Sequence, residues 1–221
     1  MSLPAAPANS LLSYRPIRGV ILDYGDVISH PMDPAVVADM ARMLQLTEER
    51  FRPIYDSFRL DYDRGTLSPD QYWACVAQAA GVDLTGEQIA GLRQADVSMW
   101  SRLNESVLKW AGDLRAAGLK TAILSNMHHD MVQHIRQNGA WTENFDCAIF
   151  SSPLRMAKPD PEIFKHCLNC LQLESHETRF IDDRERNVRA AEAQGIRGIV
   201  APTTSDLRSQ LKAIGFSPLP E

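Results

Sequence analysis

Long apolar runs are missing from this chain of 221 residues, and no stretch approaches the roughly 20 apolar residues that span a membrane as a helix. A basic surplus is missing too. With 23 Lys and Arg against 28 Asp and Glu, the net charge is −5, which offers no electrostatic footprint for nucleic acid or an anionic membrane. The expected partners are small molecules and metal ions. Cysteine is scarce, since four residues are too few for a disulfide scaffold at this size. Cys167 and Cys170 form a CxxC inside PEIFKHCLNCLQL, but Phe164, Cys167, Leu168 and Leu171 recur there at helical spacing. Without a second ligand pair they read as small core residues on a helix rather than as zinc ligands. A reducing cytoplasm is the default location. Residues 1–14 lack the basic start and continuous apolar segment of a secretion signal and read as a flexible leader.

What is present is an ordinary globular composition, 44% hydrophobic and 23% charged, long enough for one core with a sizeable insertion. The stretch around which the chain is organised is Gly19-Val-Ile-Leu-Asp23-Tyr-Gly-Asp-Val-Ile28. Val20, Ile21 and Leu22 read as a strand buried on both faces, ending at an aspartate. Open α/β sheets place their chemistry at that end of a strand. Taken alone, the stretch is equally a strand followed by a polar turn.

Four helical patterns follow without an intervening strand. They open at Asp33, Thr47, Ser68 and Thr85, and the second runs from Thr47 to Arg64-Gly65. From Asn104 the rhythm becomes alternating. Strands are expected over 119–124, 147–150, 179–181 and 196–201, separated by helices over 106–117, 130–138, from Pro161, and 186–194, with a last helix over 205–214. Alternation of this kind implies right-handed crossovers and a parallel sheet.

Three strand ends carry Asp23, Ser125 and Asp182-Asp183, and Lys158 precedes a helix in MAKPDPEIF. Separately, Ser125-Asn126 is a turn, Lys158 a solvated charge and Asp182-Asp183 a helix cap. Together they bring three carboxylates, a hydroxyl and a fixed cation to one sheet edge. Crowded carboxylates repel, and a hard divalent cation such as Mg²⁺ relieves them. Metal and lysine then hold phosphate oxygens while a carboxylate attacks phosphorus.

With LDYGDVI, AILSN, AKPDPEIF and FIDDRERNVRAAEAQGI in this order, the chain resembles the haloacid dehalogenase superfamily from Arg18 to Ala201. DYDRGTLSPDQYW is similar to a cap segment of the branch containing sugar 1-phosphate phosphatases and the phosphatase domain of soluble epoxide hydrolase. The resemblance implies an α/β, Rossmann-like parallel-sheet core of about five strands with an inserted all-helical cap. The core would comprise residues 15–30 and 104–221, and the cap residues 31–103. It also implies a Mg²⁺-dependent phosphatase acting on a small phosphorylated metabolite, sugar phosphates among them. Asp23 would be the nucleophile. Mg²⁺ would be held by Asp23, the Gly25 carbonyl, and one or both of Asp182 and Asp183. Ser125 and Asn126 would bind the transferred phosphate, and Lys158 would offset charge on nucleophile and phosphate.

One position departs from that pattern. Phosphatases of the superfamily carry a second aspartate two residues after the nucleophile as acid and base, and here it is Gly25. Such a role is typically worth about 10²–10⁴-fold in rate. Either Asp26 takes over the proton, or the substrate has a good leaving group such as an anomeric or acyl phosphate. Two alternatives accompany the phosphatase: a metal-independent dehalogenase, and a phosphate-ligand binding or regulatory protein of low turnover. Around the motifs, His128-His129 read as an exposed helix start, with a place at the site opening as the alternative. Tyr24 packs the cap or lines the entrance. Arg59, Tyr62 and Arg64 meet a polar substrate or lie on solvated surface. Trp73, Trp100 and Trp110 read as packing residues.

Overall fold

The computed structural model describes residues 16–202 and 206–220. The leader expected over 1–14 lies outside them, as does Ser205 at the expected start of the last helix. The chain enters through β1 (Gly19–Leu22) and passes through five helices: α1 (Pro34–Met43), α2 (Glu48–Ser57), α3 (Arg59–Arg64), α4 (Pro69–Ala80) and α5 (Gly86–Met99). It continues as α6 (Glu105–Ala116), β2 (Lys120–Ser125), α7 (His129–Asn138), β3 (Cys147–Phe150), α8 (Ser151–Leu154), α9 (Pro161–Leu171), β4 (Thr178–Asp182), α10 (Glu185–Ala193), β5 (Arg197–Val200) and α11 (Leu207–Ala213). The strand pairings of the sheet are all parallel, in the order β3-β2-β1-β4-β5. No helix among the described residues is long and apolar enough to cross a membrane.

This is the α/β parallel-sheet fold expected, and β1 lies at its centre. Val20, Ile21 and Leu22 have no solvent exposure because helices cover both faces. One face packs Val20, Leu22 and Ile123 against Trp110 and Leu114 of α6 and Val132 and Ile135 of α7. The other packs Ile21, Leu124 and Phe180 against Phe164 and Cys167 of α9 and Ala191 of α10. Each strand contributes alternate residues to the two faces, and so both alternating sets are apolar.

Two expectations change. The inserted segment contains five helices rather than four, because the second pattern breaks at Phe58 (φ −113°, ψ 4°) between α2 and α3. Those helices share a core of their own that includes Val37, Met40, Phe51, Tyr55, Trp73 and Leu92. Cys170 is not a core residue. It is bonded to Cys147 as a disulfide across 23 residues, with a Cα–Cα distance of 6.3 Å, joining the end of α9 to β3. Cys167 is buried and free, and Cys75 is also free. Helical spacing described Cys167 correctly, while the pairing of Cys170 arises from a neighbour brought close only by the crossover.

Candidate active site

Asp23 leaves the sheet directly after β1, its amide donating to the Ile181 carbonyl at 2.9 Å. Its Oδ1 accepts from the Tyr24 amide at 2.7 Å, and the chain turns sharply through Asp26, which takes a left-handed conformation (φ 56°). Asp182 ends β4, the neighbouring strand. Lys158 reaches between them, its Nζ 2.7 Å from Asp23 Oδ1 and 2.7 Å from Asp182 Oδ2. Only 1% of Lys158 is exposed.

The lysine loop is held by Asn126 from the end of β2. Its side-chain amide donates to the Lys158 carbonyl at 2.8 Å and its oxygen accepts from the Lys158 amide at 2.7 Å. Both ends of Asn126 therefore position Lys158. Ser125, Gly25 and Asp183 line the same cleft, so all seven residues expected at the site meet at one sheet edge. The cleft encloses about 660 Å³ including its open mouth. Asp26 is not among the residues that line it, though its charge acts on Asp183.

Charge in this cluster is unbalanced. Burial, together with Asp182 and Asp183, pushes Asp23 up to about 7 despite Lys158. Burial and Asp182 push Asp183 up to about 6. Burial works against the Lys158 ammonium, but Asp182 and Asp23 outweigh it and hold its pKa above the ordinary value. Fully ionised, three carboxylates around one ammonium carry a surplus of two negative charges, and the raised Asp23 and Asp183 show the strain of holding it without a further cation. Carboxylate oxygens of Asp23, Asp182 and Asp183 lie within 4.8 Å of one another, a spacing and donor type that fit a hard divalent cation. The two late aspartates differ in what they have free. Asp182 Oδ1 accepts from the Arg184 amide at 2.8 Å and from Asn187 at 3.0 Å, while Oδ2 accepts from Lys158 at 2.7 Å and Asn187 at 3.1 Å. Asp183 has a single ion-pair contact, 3.7 Å from Arg184, and turns towards the cleft.

The helical segment is tied down over this cleft. Arg93 forks onto Asp130 at 2.7 and 2.9 Å, and Arg64 meets Asp160 at 2.7 Å. Ser151 donates to the Asp63 carbonyl, and the Tyr24 hydroxyl donates to the Trp100 carbonyl at 2.8 Å. Within these helices, on the side that lines the cleft, lies a buried network. Arg59 bonds Asp63 and Asp96 at 3.0 Å, and Tyr55 donates to Asp96 at 2.6 Å. Burial alone would raise Asp96, but Arg59 and His128 outweigh it and hold it low; burial pushes Asp63 up to about 6.

The histidine pair divides. His129 is exposed, as expected of a helix start, whereas His128 is buried and lines the cleft. It stacks on Tyr62 with ring centroids 4.7 Å apart. Its Nε2 is 3.5 Å from Asp96 Oδ2, too poorly placed for a hydrogen bond, and neither ring nitrogen has a partner. Burial drives its pKa down to about 4, so it is neutral at pH 7. Trp73 and Trp110 are packing residues, as expected. Trp100 is more than that. It stands at the end of α5, lines the cleft, and lays its indole against Gly25. Its helical spacing carried no sign of this, because the contact spans 75 residues of chain.

A family model for haloacid dehalogenase-like hydrolases matches residues 12–195, and the chain belongs to this hydrolase family. Sesquiterpene phosphatase astK of Aspergillus oryzae is 29% identical over 144 residues, covering 62% of this chain and 69% of that protein. Bifunctional epoxide hydrolase 2 of Rattus norvegicus is 27% identical over 126 residues, 54% of this chain but only 22% of that protein. In structure, a HAD family enzyme of Bacteroides thetaiotaomicron solved with magnesium and inorganic phosphate matches with a TM-score of 0.70 at 24% identity, covering 88% of this chain and 98% of that one. An L-2-haloacid dehalogenase of Xanthobacter autotrophicus matches with a TM-score of 0.64 at 21% identity, covering 91% and 85%. At these identities the structural likenesses establish the fold.

Proposed function

We propose that this protein is a Mg²⁺-dependent phosphatase of small phosphorylated metabolites, with residues 31–103 acting as a cap over the site. The observation that carries the reading is the Lys158 ammonium held between Asp23 and Asp182, with Asp183 left open beside them. Asp23, Asp183 and the Gly25 carbonyl would hold the ion, while Asp182, already saturated by hydrogen bonds, positions Lys158. The ion supplies Lewis-acid neutralisation of phosphate charge.

Asp23 Oδ2 attacks phosphorus, the bond from phosphorus to the substrate oxygen breaks, and its electron pair departs on that oxygen. Ser125 and Lys158 hold the transferred phosphate. Water then cleaves the aspartyl-phosphate, restoring Asp23 and releasing inorganic phosphate. The cap excludes bulk water and strengthens these electrostatic contacts. Support also comes from the phosphatase among the sequence relatives and from the neighbour holding magnesium and phosphate. A screen of sugar, nucleotide and acyl phosphates with Mg²⁺ or EDTA tests the reading. Phosphate release that needs Mg²⁺ and disappears in Asp23→Asn is expected; release that survives Asp23→Asn overturns the nucleophile.

Gly25 favours two other readings. The dehalogenase reading predicts chloride release from a 2-haloacid in EDTA, and the low-turnover reading predicts Mg²⁺-dependent sugar-phosphate binding without product.

A further inference from the structure

The cleft has two unlike sides. Its polar side is already committed. Arg59 is held by Asp63 and Asp96, Tyr55 donates to Asp96, and the ring nitrogens of His128 are sealed from solvent against Tyr62. Asp56 and Arg184 stand exposed at the rim. Apart from Ser125, Asp183 and Asn187 at the phosphate end, the unpaired polar atoms inside are the ring nitrogens of His128, which solvent does not reach. The side beside the nucleophile is walled by Tyr24, Met32, Trp100 and Met131. The Tyr24 hydroxyl is turned into its bond with the Trp100 carbonyl, which leaves its ring as apolar surface.

Two features extend this wall. A Cβ placed on Gly25 would meet the Trp100 ring at 3.5 Å, so indole rather than carboxyl covers the position two residues after Asp23. Tyr24 and Met131 also line a second pocket of about 440 Å³ including its opening, with Leu103, Ile135 and Trp141 as its apolar walls and Ser101, His134 and Asn138 as its polar ones. The same two side chains thus separate the two spaces, and methionine is the side chain best able to adapt its shape there.

We propose that the substrate carries a long hydrocarbon group, seated on Trp100 and reaching past Tyr24 and Met131, on an activated phosphate whose oxygen leaves as a stable anion. This deepens the phosphatase reading and rests on it. A fatty acyl phosphate is the simplest compound of that kind. As the bond from Asp23 Oδ2 to phosphorus forms, the phosphorus–oxygen bond breaks and its electron pair leaves on a carboxylate. That step requires no proton, in keeping with glycine at position 25.

Acetyl, butyryl, hexanoyl and octanoyl phosphate share one leaving-group chemistry and differ only in apolar length. With the full chain and Mg²⁺, kcat/KM is expected to rise about fourfold per methylene until the cavity is filled, and octanoyl phosphate is expected to outrun glucose 1-phosphate. Trp100→Ala flattens that dependence on length, and Trp100→Phe keeps most of it. The unmodified chain decides the matter even where a variant fails to fold. Hydrolysis of acetyl phosphate with a flat or falling series, or preference for glucose 1-phosphate, overturns the apolar subsite and leaves the phosphatase reading standing. Failure to hydrolyse any phosphate, acetyl phosphate included, overturns both.

Discussion

The ammonium of Lys158 lies 2.7 Å from the carboxylate of Asp23, and the lysine is almost wholly removed from solvent. Removing it leaves Asp23 and Asp182 buried without a counter-charge. Lys158→Met is expected to cost about 3–5 kcal/mol in urea unfolding and to lower phosphate release by about 10²-fold or more. An unchanged unfolding midpoint would mean that the three charges are not coupled.

Asp182 and Asp183 predict opposite phenotypes. Asp182→Asn breaks the contacts to Lys158, Asn187 and the Arg184 amide, so loss of stability should dominate. Asp183→Asn disturbs no such network and should leave the melting temperature nearly unchanged. It should weaken Mg²⁺ binding by more than the roughly 10–100-fold that loss of an outer-shell partner costs. Calorimetric Mg²⁺ titration beside thermal unfolding of both variants distinguishes them.

His128 sets a pH dependence with a defined sign. Its pKa is about 4 in the fold, below the ordinary value of 6.5, because burial disfavours the imidazolium. The unfolded chain therefore binds more protons between those values. The stability that His128 contributes is complete above about pH 6.5 and is lost as pH falls through about 4, by up to about 3 kcal/mol. Asp63, raised to about 6, contributes with the opposite sign over an overlapping window. The difference between the unmodified chain and His128→Gln isolates the histidine; parallel stability curves from pH 7 to pH 4 would refute its assignment.

Thiol titration of the denatured, unreduced protein should find two free thiols, Cys75 and Cys167, and four after reduction. Opening the Cys147–Cys170 loop should cost about 3 kcal/mol by chain entropy. Four thiols without reductant would exclude the bond.

Gly25→Asp asks whether the missing acid is a matter of residue or of space. A Cβ at this position stands 3.5 Å from the Trp100 ring, an ordinary contact, so the indole borders the space that a carboxyl there has to enter. The single variant should gain little on alkyl phosphates, while Gly25→Asp with Trp100→Ala should gain about tenfold or more, part of the roughly 10²–10⁴-fold that general-acid catalysis supplies. Steady-state kinetics on one alkyl phosphate decide between them.

By itself the sequence determined the parallel sheet, the helical insertion, Asp23, Ser125 and the Asp182-Asp183 pair where strands stop, and Lys158 ahead of a helix. Gly25 and Asn126 were named only through the family resemblance. The others are written in local signals: apolar runs bounded by turns, helix caps at Ser68 and Thr85, and acids placed where strands stop. Only the tertiary structure decided which carboxylate keeps free oxygens, that His128 is buried and neutral, that Trp100 covers Gly25, and that Cys170 meets Cys147. Those outcomes depend on burial and on contacts across the crossovers and the insertion. Both depend on distances between segments remote in sequence, and periodicity along the chain does not encode them.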